Sequence, residues 1–295
     1  MRVVVVKAPA PKKKPREDAA QVPTPPAEGA PPRAPLAELG IGAAWIVGIG
    51  AACQIAAVLL HSNPLAVVMV QAVLVDLAAG RAGLRWDPAA NDNTNAEGKN
   101  ALRGVGVGAA ASLAVIAVVL VANLALGAAQ IAVHSPTMSF ALGALRAIAI
   151  AARDTQLYAG LPLFFVARAG VRRRPAVIFA GLMAASAIAF LPGATPANVV
   201  LAASVMSAAA ALWARDDAGW SAAGLVGGYT FIAGTALRGG VADVTWKKGS
   251  LAPGLVADGA PAWLASALFA AIAVLAMRGT SAGETKANSS PADAQ

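Results

Sequence analysis

The sequence has few charged residues, few aromatic residues and almost no metal ligands. Of its 295 residues, 13 % are charged and 5 % are aromatic, whereas 58 % are hydrophobic. Soluble proteins carry about 25 % charged residues, so this composition disfavours a soluble globular protein. The chain has one cysteine, Cys53, and two histidines, His61 and His134. An intrachain disulfide and a protein-built zinc site therefore lack their ligands, and we expect no metal and no other cofactor.

The hydrophobic residues are gathered in runs long enough to cross a bilayer. About 17 to 25 apolar helical residues span the roughly 30 Å of hydrocarbon. The runs lie at 39–60, 65–80, 104–133, 138–168, 175–191, 197–214, 219–237 and 260–277. They predict an all-α fold, a polytopic membrane bundle of about eight transmembrane helices at residues 36–278.

The two ends of the chain have a different composition. Residues 1–35 are rich in proline and basic residues, and their only apolar stretch, residues 3–6, is too short for a signal-peptide core. We expect a disordered, Pro-rich cytosolic tail there. Residues 279–295 are polar and are predicted to form a second cytosolic tail.

Basic residues predict the orientation of the spans. Lysine and arginine collect in alternate connections, which should be cytosolic by the positive-inside rule. These are Arg81, Arg85, Lys99 and Arg103, then Arg168 and Arg172 to Arg174, then Arg215, then Arg278 and Lys286. The pattern predicts an integral membrane protein with both termini in the cytosol. It also accounts for the net charge of +8, so we expect membrane lipids and no nucleic acid as partners.

The run at 138–168 carries more charge than any other run. It contains Arg146, Arg153 and Asp154 and then Tyr158. An ionised group at such depth costs at least about 2.5 to 3.5 kcal/mol, so these side chains should face protein or a polar cavity. Adjacent helical residues point about 100° apart, and Arg153 and Asp154 therefore need not pair. Two interpretations stay open, a binding site and polar contacts that only hold helices together.

Three short segments on consecutive spans have a recognisable order. They are Arg153-Asp154 with Tyr158-Ala159, then Ser186 to Phe190, then Val226 to Thr230, with the basic turn Arg172 to Arg174 after the first. This order resembles the CAAX prenyl protease and bacteriocin-processing family of intramembrane proteases. That family has Glu-Glu-x-x-x-Arg-Gly, Phe-x-x-x-His and His-x-x-x-Asn at these places. A narrower resemblance is to the non-catalytic homologues that accompany the myxosortases, and it implies a protein of a bacterial inner membrane.

The resemblance implies a protein without the family's chemistry, which needs a carboxylate and imidazoles. Phe190 and Val226 stand where the family has histidine, and Asp154 is the one possible base. The implied protein has no catalytic residues and acts as a binding or accessory protein in protein processing or sorting. Its implied partners are an active paralogous protease or a membrane-anchored protein substrate. The residues expected to line its pocket are Arg146, Arg153, Asp154, Tyr158, Ser186, Phe190, Val226 and Thr230.

Two other functions remain open at this point. The first is an active intramembrane hydrolase with an altered site centred on Asp154. The second is an unrelated structural or transport protein of the membrane. The sequence alone does not separate them from the binding protein.

Overall fold

The computed structural model of the protein describes residues 35–87, 94–136, 138–191, 193–251 and 257–288. Most of the predicted tail at 1–35, and residues 289–295 of the second tail, lie outside the described residues. Within them the chain forms α-helices, two short π-helices and two strands. The α-helices are α1 Pro35–Leu59, α2 Pro64–Ala82, α3 Thr94–Ala125, α4 Met138–Asp154, α5 Leu161–Arg168, α6 Arg173–Ala189, α7 Pro196–Asp216, α8 Trp220–Phe231 and α9 Gly259–Asn288. The π-helices are Thr155–Gly160 and Ile232–Ala236, and the strands are β1 Ala129–Val133 and β2 Ala242–Trp246.

Five of these helices are long and apolar enough to cross a membrane. They contain the spans Pro35–Leu59, Pro64–Ala82, Asn100–Ala125, Pro196–Asp216 and Gly259–Arg278. The other predicted spans are also helical but shorter, since α4 and α6 have 17 residues each and α8 has 12. The described chain is thus a mainly helical bundle with five candidate membrane spans.

Two of the long helices begin in the same way. Asn63 precedes Pro64, and its side chain accepts a hydrogen bond from the backbone N–H of Ala66. Thr195 precedes Pro196, and its side-chain oxygen accepts a hydrogen bond from the backbone N–H of Asn198 in the same manner. Proline at the first helical position loses no intrahelical hydrogen bond, and the capping oxygen satisfies one of the free N–H groups. These four residues therefore fix where α2 and α7 start.

Contacts between helix ends show that the helices run in alternating directions. At one end of the bundle, Arg168 at the end of α5 lies 3.8 Å from Glu38 in the first turn of α1. At the same end, Arg173 at the start of α6 forms a 2.9 Å ion pair with Asp217, just after α7. At the opposite end, Thr195 before α7 donates to the carbonyl of Ala257 before α9. α1 and α5 are thus antiparallel, as are α6 and α7, whereas α7 and α9 both begin at the opposite end.

Two strands correct the prediction of an all-α chain. The predicted span 104–133 is wrong at its end, because α3 stops at Ala125 and residues 129–133 form β1. β1 pairs antiparallel with β2, with Ala129 opposite Trp246 and Val133 opposite Ala242. A short apolar strand has the same composition as the end of an apolar helix, and its partner strand is distant in sequence. Composition therefore did not separate a strand from a helix end here. The candidate span in α9 ends at Arg278, and the helix continues to Asn288, so the first part of the predicted second tail is helical.

The core is formed mainly by small side chains around α7. Ala208, Ala209, Ala210 and Ala211 are each fully buried on this helix. Such residues allow neighbouring helices to approach closely, and α7 packs against α6, α8 and α9. Large apolar side chains are instead exposed on the outer helices, for example Val58 on α1 and Val121 on α3. This distribution is typical of a bundle whose outer surface faces lipid.

Three of the six tryptophans form a stack inside the protein. Their positions near span ends predicted an interfacial aromatic belt, but Trp86 stacks against both Trp213 and Trp220, with ring centroids 5.6 and 5.3 Å apart. Trp213 is buried. The stack joins the segment after α2 to the end of α7 and the start of α8, so these rings hold helix ends together rather than facing lipid.

Candidate functional site

A cavity of about 700 Å³ is lined by residues of six α-helices, namely α1, α2, α4, α6, α7 and α8, and of both π-helices. Its volume falls in the range of small-molecule sites in proteins, about 300 to 1,000 Å³. All eight pocket candidates from the sequence line this one cavity: Arg146, Arg153, Asp154, Tyr158, Ser186, Phe190, Val226 and Thr230.

A chain of hydrogen bonds crosses one wall of the cavity. The Arg153 Nε donates to Asp154 Oδ1 at 2.6 Å, and its Nη1 donates to Gln71 Oε1. The Nε2 of Gln71 donates in turn to the backbone carbonyl of Cys53 at 2.8 Å. Helical geometry left open whether Arg153 and Asp154 pair, and they do, because the long arginine side chain reaches its neighbour. The chain connects α4, α2 and α1.

A second chain of hydrogen bonds lies about one helical turn after Arg153, outside the cavity lining. Gln156 Nε2 donates to Asp76 Oδ1 at 2.6 Å, and the Nε1 of Trp86 donates to the same oxygen at 3.4 Å. Asp76 therefore holds the first π-helix against α2.

Both π-helices border the cavity. Arg153 and Asp154 directly precede the first, which contributes Leu157 and Tyr158 to the lining, and the second contributes Gly234 and Thr235. π-helical residues are well under 1 % of residues in proteins and occur often at functional sites. Sequence patterns do not mark them, and the analysis of spans missed both. Pro162 lies two residues after the first π-helix and is the one trace of it in the sequence.

The part of the lining formed by α8 and α6 is largely apolar, and its α8 residues are firmly held. Val226 and Tyr229 on α8 are almost fully buried, and the Tyr229 hydroxyl donates to the carbonyl of Leu251 at 3.1 Å. Thr230, also buried, follows on the same helix. On α6, Ser186 donates to the carbonyl of Leu182 in its own helix, and Phe190 is 89 % exposed at the edge of the cavity. The candidates therefore differ in depth, with Val226 deep and Phe190 at the rim.

Two further lining residues were missed by the sequence analysis. Arg238 follows the second π-helix and lines the cavity. Asn198 lies in the first turn of α7, is 3 % exposed and also lines the cavity. Its side-chain nitrogen has no hydrogen-bond partner among the described residues. Neither residue has a sequence signal that separates it from an ordinary loop or cap residue.

The chemistry available in the cavity favours binding over proton transfer. Among the described lining residues Asp154 is the one carboxylate, and no histidine is present. In the same described ranges no three His, Cys, Asp or Glu side chains come close enough to hold a metal ion. The arginines and amides are donors suited to carboxylate or phosphate oxygens. The cavity can therefore hold an anionic or polar group beside an apolar one.

Comparison with family models, curated proteins and solved structures finds no match to this chain. The resemblance to the intramembrane proteases thus depends on the order of motifs in the sequence alone.

Proposed function

We propose that the protein is a membrane-embedded binding protein that holds a partner in the cavity and does not hydrolyse it. The observation that carries this proposal is the bond from Arg153 Nε to Asp154 Oδ1 on the cavity wall. This bond pairs the one carboxylate of the described lining, that of Asp154, with the guanidinium of Arg153. A hydrolase needs a base that is free to accept a proton from water.

The motif order supports a more specific form of the proposal. The chain is a non-catalytic homologue of the CAAX prenyl protease and bacteriocin-processing proteases, with Arg153, Phe190 and Val226 in place of the family's glutamate and two histidines. Its partner is an active paralogous protease or a membrane-anchored protein substrate. The common cavity formed by these three positions supports this alignment.

The proposed topology has eight spans with both termini in the cytosol of a bacterium. The contacts between helix ends support it, because Arg168 with Glu38 and Arg173 with Asp217 join ends that the basic residues assign to one side. Pairing of β1 with β2 likewise joins two connections assigned to the opposite side. Three segments with shorter helices then cross the membrane as tilted or partly buried spans. They are α4 together with α5, then α6, then α8.

Site-specific photocrosslinking in native membranes tests the binding function. A photoreactive amino acid at Ser186, which is exposed and lines the cavity, should capture a membrane partner. Gly50→Phe should abolish capture, because Gly50 lines the cavity and has open space around it, so the new ring fills the cavity.

A matched control comes from the same helix. Gly48 also has open space around it but lies outside the lining, so Gly48→Phe should leave capture unchanged. Capture that persists in Gly50→Phe, or no capture in the wild-type protein, overturns the proposed function.

A further inference from the structure

The cavity lining carries positive charge that the protein does not neutralise. Arg146, Arg153 and Arg238 line it, and Arg153 is bonded to Asp154. Within the described residues, neither Arg146 nor Arg238 has an ion pair or a side-chain hydrogen bond to the protein. Two cationic side chains are therefore available to a ligand.

The position of Arg146 makes this charge informative. It lies eight residues after the start of α4, which corresponds to about 12 Å along the helix. A charge at membrane depth costs at least about 2.5 to 3.5 kcal/mol unless it is paired or hydrated. An anion that enters the cavity lowers this cost for Arg146.

Asn198 provides an independent indication of a ligand. Its residue is 3 % exposed, and its Nδ2 is buried without a hydrogen-bond partner among the described residues. A buried donor without an acceptor costs about 1 to 3 kcal/mol, and most buried polar groups are paired. Asn198 lines the cavity, so a rotation of its amide would bring Nδ2 to a ligand oxygen there, which would supply the missing acceptor.

The rest of the lining is suited to a hydrocarbon chain. It is largely apolar and includes Ile46, Val47, Met183, Leu201 and Val205. α1 and α6 both pack against α5, but in the described chain they do not pack extensively against each other. Val47 on α1 and Phe190, directly after α6, both line the cavity and are exposed. An apolar chain in the cavity could therefore extend to the outer surface at these residues.

We propose that the cavity binds an anionic amphiphile, with a phosphate or carboxylate head group on Arg146, Arg238 and Asn198 and an alkyl chain along the wall formed by α1, α6 and α7. This inference rests on the proposed binding function and goes beyond it by naming the ligand chemistry. Guanidinium groups bind both head groups through paired N–H donors.

Binding measurements on the purified full-length chain in a non-ionic detergent test this inference. The probes are dodecyl phosphate, dodecanoate, dodecanol and inorganic phosphate, followed by native mass spectrometry and by the shift in Tm. Dodecyl phosphate or dodecanoate should bind and raise the Tm, whereas dodecanol and inorganic phosphate should not. If dodecanol binds equally well, the cavity does not recognise the negative charge. If inorganic phosphate binds equally well, the cavity does not recognise the alkyl chain. Either result overturns the inference.

Arginine variants locate the head group. Arg146→Gln and Arg238→Gln should each weaken binding of the anionic amphiphile at least tenfold, whereas Arg146→Lys retains the charge and part of the affinity. The control is Arg172→Gln, which makes the same charge change at an exposed residue outside the cavity. An unchanged affinity in both cavity variants overturns the inference. Failure here together with capture of an uncharged partner at Ser186 leaves the proposed function in place.

Discussion

Arg153 connects three helices through one side chain. It bonds to Asp154 on its own helix and to Gln71 on α2, and Gln71 continues to the carbonyl of Cys53 on α1. The sequence predicted that such a charge would face protein or a cavity, and it does both. The pairing itself was not predictable from helical geometry, because that geometry places the Cβ atoms of neighbours apart and leaves out the reach of the arginine side chain.

This arrangement predicts a strong coupling between Arg153 and Asp154. Arg153→Ala leaves Asp154 as an unpaired, largely buried charge, since the two side chains are 23 % and 16 % exposed. Allowing for this exposure, we expect a loss of about 1 to 3 kcal/mol, below the value for fully buried pairs. Adding Asp154→Ala should restore part of the lost stability, as measured by thermal unfolding in detergent.

Arg215 and Asp216 provide a control for this double-mutant cycle. They are also adjacent in sequence and form an ion pair, but their side chains are 38 % and 32 % exposed. Arg215→Ala should cost less than about 1 kcal/mol. Equal losses at both pairs, or no recovery in the double variant, contradict a buried coupled pair at Arg153.

The residues of the cavity also predict the absence of proteolysis. Purified protein in liposomes should leave prenylated peptides and sorting-signal peptides uncut, because no described lining residue is a histidine and Asp154 is bonded to Arg153. Asp154→Ala should not differ from the wild type in this assay. Cleavage that disappears in Asp154→Ala would instead establish a hydrolase centred on that carboxylate.

At the scale of elements, the first π-helix explains how a proline is accommodated inside one long helical segment. Residues 138–168 are continuously helical, as the sequence predicted, and Leu161 donates to the carbonyl of Gln156 five residues earlier. Proline in a regular helix clashes with the carbonyl four residues before it. The wider π turn before Pro162 is one way to relieve this clash. The sequence predicted a helical segment over this range but not the π turn, because i→i+5 bonding has no residue signature.

Close packing between α3 and α8 gives a prediction at the same scale. A Cβ at Gly108 would lie 2.0 Å from the Ser221 carbonyl oxygen, and one at Gly224 would lie 2.1 Å from the Val105 carbonyl oxygen. Gly108→Ala should therefore separate the helices and cost about 1 to 3 kcal/mol, measured as a lower Tm.

Gly106 is the matched control for this substitution. It lies on the same helix, and a Cβ there has no neighbour within 4 Å. Gly106→Ala should leave the Tm unchanged or raise it, since alanine favours a helix over glycine. If Gly106→Ala lowers the Tm as much as Gly108→Ala, helix packing is not the cause.

For the whole molecule, the order and limits of the helices were largely predictable, but the number of clear spans was not. The predicted run 39–60 corresponds to α1 and the run 197–214 to α7, because uninterrupted apolar composition dominates there. α6 and α8 are too short to be identified as spans by length and hydropathy. The positions that complete the cavity, Asn198 and Arg238, depend on tertiary packing that single-sequence periodicity does not contain.

The proposed topology predicts opposite labelling of two connections. Ser62 lies between α1 and α2 and Arg172 lies before α6, and both are exposed. With Cys53 replaced by alanine, Ser62→Cys should react with a membrane-impermeant maleimide from outside the cell, and Arg172→Cys only after the membrane is opened. Reaction of both from the same side would exclude the topology.

The pairing of β1 with β2 sets an order of assembly during synthesis. β1 leaves the ribosome directly after α3, whereas β2 follows only after α4 to α8 have been made. Synthesis proceeds at about 5 to 20 residues per second, so the backbone groups of β1 stay without their β2 partners for several seconds. In that time β1 is an open sheet edge. The last step is the closure of a long chain loop, and a nascent chain that stops before Ala242 retains a free β1 edge that can pair with another chain.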